Sequence, residues 1–239
     1  MSVSIGPKVR KKDLCCVVDA RNPLIHNGST TTITNIIEKQ NNLTGTGIST
    51  VDDDTAGLSF SFVDANAASQ GSWTPVINKY NFTIIYWIKY QDGKDNNYTR
   101  LWKTNTTDNP SFGYYWGADT RLPGNEYIHV YVKDYTTNNW DARNVISEAD
   151  WEGSSTWFQL ACVVSAENKS EHYRNGVLIN TGTTPNQDLS SYGNIDTIQL
   201  GSTYSTTGAR CGYFSVYRDA LTAADILENY NTLKGRFGL

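Results

Sequence analysis

The chain has 239 residues, 18% of them charged, and a formal net charge of −4. That balance excludes the basic face of a nucleic-acid binder, and no apolar run approaches the roughly 18 residues that a membrane helix needs. Hydrophobic residues at 38% and aromatics at 12% exclude a disordered chain. Thr, Tyr, Val, Ile, Asn and Gly are plentiful and the strong helix formers do not dominate, so the composition predicts an all-β protein.

Residues 1–13 read as an arm. They carry the basic residues Lys8, Arg10, Lys11 and Lys12 and no apolar segment of the kind a secretory signal peptide has. The patch suits an acidic neighbour in an assembly or a frayed charged terminus. Residues 14–18 form a short apolar run closed by Asp19-Ala-Arg-Asn-Pro23, which predicts a buried strand ending in a turn. Residues 26–57 are polar and predict a long loop with short strands. Residues 57–63 alternate, and would bury Leu58, Phe60 and Phe62 on one face. Residues 82–90 are apolar on both interleaved faces, as a central sandwich strand is.

Residues 100–103, 112–116 and 127–132 predict further strands, separated by the turn pairs Asp92-Gly93, Asn109-Pro110 and Pro123-Gly124. Residues 157–164 form a second buried strand. Residues 171–179 read as a hairpin, because Asn175-Gly176 tolerates the positive φ angles of a type I′ turn. Residues 195–200 and 211–217 complete the strands. The last element is a helix over 222–234. Thr222 caps it, Asp225 sits at the third helical position, and Leu221 staples onto Ile226. Ile226, Leu227, Tyr230 and Leu233 supply its apolar face, and Gly235 stops it. No repeat and no linker interrupts the series. The expectation is one antiparallel two-sheet sandwich over 1–239, its helix covering an edge or end.

Cys15 and Cys16 are adjacent and point to opposite faces of a strand, and no Cys-x-x-Cys spacing exists. With Cys162 and Cys211 they read as free, mostly buried thiols. His26, His129 and His172 are scattered and argue for neither zinc nor a Ser-His-Asp arrangement. No phosphate-binding glycine loop occurs, so no nucleotide cofactor is expected. The acidic run Asp52-Asp53-Asp54 offers oxygen ligands to Ca²⁺, or is the solvated tip of a loop. Tyr114, Tyr115, Trp116, Asp119 and Arg121, with Tyr135 and Trp140, combine planar rings with hydrogen-bonding side chains. Such a cluster divides between core, protein interface and sugar contact.

Several segments resemble a family. Gly6-Pro-Lys-Val and Leu14-Cys-Cys-Val-Val-Asp-Ala-Arg-Asn-Pro23 resemble the opening of laminin-G-like jelly rolls found among tailed-phage virion proteins. Similar matches occur at Phe82-Thr-Ile-Ile-Tyr-Trp-Ile-Lys, Trp157-Phe-Gln-Leu and Tyr173-Arg-Asn-Gly-Val-Leu-Ile, and the strongest spans 216–239. The resemblance implies a concanavalin A-like jelly roll and a non-enzymatic structural or decoration protein of a virion, assembled in the host cytoplasm. Its partners would be other virion proteins, a further copy of itself and a host glycan. The alternative is a carbohydrate-binding adhesin. A third reading is a glycoside hydrolase, because Glu148, Asp150 and Glu152 share one strand face at i, i+2 and i+4 and resemble the acid cluster of certain concanavalin-like glucanases. Ala149 and Trp151 stand where that group has aliphatic residues, so the segment also reads as a solvated loop.

Overall fold

The strand with two apolar faces lies in the middle of a sheet. The computed structural model describes residues 12–22, 24–25, 31–38, 42–46, 49–53, 56–61, 67–70, 77–90, 99–104, 114–120, 128–134, 139–146, 156–166, 169–183, 194–201 and 209–239. In chain order the strands are β1 (Leu14–Asp19), β2 (Thr32–Ile33), β3 (Leu43–Thr46), β4 (Ser49–Asp53), β5 (Gly57–Ser61), β6 (Ala67–Gln70), β7 (Phe82–Tyr90) and β8 (Thr99–Thr104). They continue as β9 (Tyr114–Thr120), β10 (Ile128–Asp134), β11 (Asn139–Ile146), β12 (Phe158–Ala166), β13 (Lys169–Arg174), β14 (Val177–Thr183), β15 (Ile198–Gly201) and β16 (Ala209–Tyr217). Sheet I has the order β14-β13-β12-β7-β16-β5-β4, with β1 also paired to β16; sheet II has the order β11-β10-β9-β8-β15-β6-β3-β2. The pairings are antiparallel, and the fold is the expected all-β sandwich with a C-terminal helix.

β7 shows why both its faces are apolar. Tyr86 meets Trp102 of β8 edge-to-face at 6.2 Å, joining the two sheets. A gap between the sheets is lined by Tyr86, Ile88, Leu101, Trp102, Leu200, Arg210 and Cys211. These contacts fix the inner face of sheet II at Trp102 and Leu200. On the opposite side of sheet I, Trp87 stacks on Phe237 at 4.2 Å and on Tyr230 at 5.8 Å, each pair 9° from parallel. The second apolar face of β7 is thus buried by the C-terminal segment.

That segment is helix α1 (Ala223–Leu233) followed by one 3-10 turn, Lys234–Phe237. The predicted capping box is present: Thr222 Oγ1 accepts from the Asp225 amide, and the Asp225 carboxylate accepts from the Thr222 amide. Two details of the helix differ from expectation. Leu227 is 44% exposed, and Asn229 takes the buried place, accepting from the Tyr217 hydroxyl. Gly235 does not end the chain's coiling, because Phe237 is held down on Trp87; the left-handed residue is Gly238, with φ 75°. The hairpin turn is as expected, with φ 50° at Asn175 and 80° at Gly176.

Ion pairs tie the ends together. Arg236 donates to both carboxylate oxygens of Asp19, at 2.6 and 2.7 Å, and Arg218 pairs with Glu38. Asn81 ties β7 to the segment after β16: its side chain donates to Asp219 and accepts from the Ala220 amide. All four cysteines are free and buried. In β5, Phe60 is buried but Leu58 is 39% exposed, and Ser59 takes a buried place instead. Phe62 lies outside the described residues.

Candidate functional site

The candidate site is the end of sheet II formed by β9, β10 and β11, defined by backbone and register. Trp102 faces sheet I and is the register partner of Ala118, so positions 114, 116, 118 and 120 share the inward parity. Positions 115, 117 and 119 have the outward parity. A register shift between Arg100 and Trp102 keeps Arg100 opposite Asp119 and so on the outward side.

Cross-strand partners then define rows on the outer face. One row is Tyr115, Lys133 and Trp140. The next is Gly117, Tyr131 and Ala142, and it extends through Lys103 of β8 to Gln199 of β15. A third is Arg100, Asp119, His129 and Asn144. Directly opposed residues in such a ladder have Cβ atoms roughly 4.5–5.5 Å apart, so each row is a set of true neighbours. Lys103 is only 1% exposed and Gln199 7%, although both carry the outward parity. The Gln199 amide donates to the Gly201 carbonyl at 3.1 Å. The outer face is therefore enclosed at β8 and β15. From there it runs to β11 past Gly117 and Ala142, which carry little or no side chain.

The residues singled out from sequence fall as follows. Tyr115, Asp119 and Trp140 share the outer face of sheet II. Tyr114 and Trp116 belong to the same strand at the opposite, inward parity. Arg121 and Tyr135 lie outside the described residues, as do Glu148, Asp150, Glu152 and Asp54. Asp52 and Asp53 end β4, opposite Leu58 and Gly57, and as consecutive strand residues they take alternate faces. Among the described residues no group of three His, Cys, Asp or Glu is placed to hold a metal ion. Residues 139–146, for which the sequence predicts no strand, form the edge strand β11 of sheet II, and Trp140 lies on it. Sequence reasoning passed over Lys103, His129, Tyr131, Lys133 and Asn144. The period-2 spacing of Trp140 and Ala142 was the available signal, hidden because Asp141, Arg143 and Asn144 make the stretch polar.

No family model matches the sequence, and no curated protein does. Solved structures do. The receptor binding domain of botulinum neurotoxin D aligns with a TM-score of 0.67 at 13% identity, over 92% of this chain and 52% of that one. The binding domain of Paraclostridial Mosquitocidal Protein 1 aligns with a TM-score of 0.64 at 17% identity, over 92% and 52%. The botulinum neurotoxin serotype D ligand binding domain in complex with N-acetylneuraminic acid aligns with a TM-score of 0.66 at 14% identity, over 92% and 50%. At these identities the likeness is one of fold, and this chain spans about half the length of the domains it matches.

Proposed function

We propose that the protein is a recognition module that binds carbohydrate through the outer face of sheet II and acts by binding alone. The observation that carries this reading is the likeness of fold, over 92% of the chain, to receptor-binding domains, one of them solved with a bound sugar acid. The register rows support it. Sugars are held by flat aromatic faces together with convergent hydrogen-bonding groups. Positions 115, 131 and 140 carry aromatics, while positions 119, 129, 133 and 144 carry polar groups on the same face. The expected result on a glycan array is binding by the wild type, reduced at least roughly tenfold by Trp140→Ala or Tyr115→Ala. An array without hits contradicts the reading. Turnover of β-glucans would replace it with the hydrolase reading.

A second reading is a structural or decoration protein of a tailed-phage virion, in which such a module would sit on the particle. The laminin-G-like resemblance of residues 14–23 and 216–239 favours it. So does the edge strand β14, whose Val177, Leu178 and Ile179 are exposed beside Leu227 of α1, as an assembly contact would require. Mass spectrometry of purified particles should find the protein; particles lacking it would rule this setting out.

A further inference from the structure

We infer that the face of sheet I beside α1 docks onto a second copy of this chain, through Leu178, Ile179 and Leu227 about a two-fold axis. The inference goes beyond both readings above and needs neither a sugar nor a particle. Exposed apolar side chains are not spread evenly. Of the eight large ones among the described residues, Val177, Leu178, Ile179 and Leu227 lie together. A Cβ at Gly176 would meet Leu227 Cδ1 at 2.9 Å, so α1 lies against the turn that opens β14. The register puts the strand on the helix's side of the sheet. Leu178 is opposite Tyr173, Tyr173 opposite Ala161, and Ala161 opposite Ile85, two residues from the Trp87 that α1 covers. Asn180 pairs with His172, so Ile179 is the extra residue of a bulge. A bulge re-aims a side chain and bends an edge strand away from an added one. That favours contact between faces over extension of the ladder. A contiguous exposed apolar patch of this kind marks a protein contact.

The charges at the two ends of the patch select the partner. Lys169 is opposite Thr183 at the far end of β14, and its side chain is 50% exposed. It pairs with Glu171 at 2.9 Å, and an ammonium group has three donors, so it can take a second acid. Glu228 follows Leu227 at the near end and is exposed. Val177 and Thr183 are about 20 Å apart at the rise of a strand. A two-fold axis near Ile179, about midway, lays the two patches together and brings Glu228 of each copy toward Lys169 of the other.

The test is sedimentation velocity of the full chain from about 1 µM to about 1 mM, a range that covers weak dimers. A reversible dimer is expected. Leu227→Gln should raise its dissociation constant at least roughly tenfold and leave the thermal melt unchanged, because that side chain is exposed in the single copy. Lys169→Glu and Glu228→Lys should each weaken the dimer. The two together should restore it, since the exchanged charges again meet across the axis. A monomer throughout the range overturns the inference. So does a dimer indifferent to Leu227→Gln, or a double variant weaker than either single one. Sugar binding and the protein content of particles are separate measurements and stand or fall without this result.

Discussion

Gly212 lies in a register shift of β16 between Cys211 and Tyr213, directly beneath the C-terminal segment. A Cβ there would sit 2.6 Å from Phe237 Cε1 and 3.2 Å from Trp157 Cη2. Neither ring can yield, because Phe237 is stacked on Trp87 and packed against Trp157. Gly212→Ala should therefore cost about 1–3 kcal/mol, read as a lower urea midpoint. The cysteines make a second prediction at this scale. Burial pushes Cys15 and Cys211 up to about 12, from an ordinary value of 9.0. Between those values the unfolded chain ionises and the folded one does not. Their contribution to stability is thus complete below pH 9 and is lost as pH rises toward 12. The urea midpoint should fall from pH 9 to pH 11, and Ellman's reagent at pH 8 should react only after unfolding. That the four cysteines are unpaired was legible from their spacing. The need for glycine at 212 was not, since it arises from a ring 25 positions further along the chain.

Helix α1 shows how far an element can be read locally. Thr222 and Asp225 announce its start, because a cap needs only residues three apart. Its end is a tertiary matter: the 3-10 turn persists to Phe237 because that ring completes a stack on Trp87. Thr222→Ala should lower stability by about 1 kcal/mol. Phe237→Ala should cost about 3–5 kcal/mol, as truncation of a fully packed aromatic does. If thermal melts show the two changes to be alike, the C-terminal segment is not the cover of sheet I that the ring stack implies. β11 shows the opposite limit. Its polar residues hide a strand whose alternation has meaning only beside β10, and so Trp140 could not be placed on a sheet face from sequence.

At the scale of the molecule, the two-sided apolarity of residues 82–90 already implied a layered sandwich, with something covering each side of one sheet. The structure supplies the covers: sheet II on one side, and α1 with its 3-10 turn on the other. The middle of sheet I is thereby covered on both sides, and the outer face of sheet II is where we place the proposed recognition. The aromatic cluster seen in the sequence could not be divided between core and surface without the register. The register divides it: Tyr115, Asp119 and Trp140 share the outer rows with Tyr131 and Lys133, while Tyr114 and Trp116 take the inward parity. The most direct test is an amide chemical-shift titration of the labelled chain with the glycan selected on the array. The account predicts shifts concentrated at Gly117, Tyr131, Lys133 and Trp140, with β1 and α1 unmoved. Shifts confined to sheet I or to α1 would contradict it.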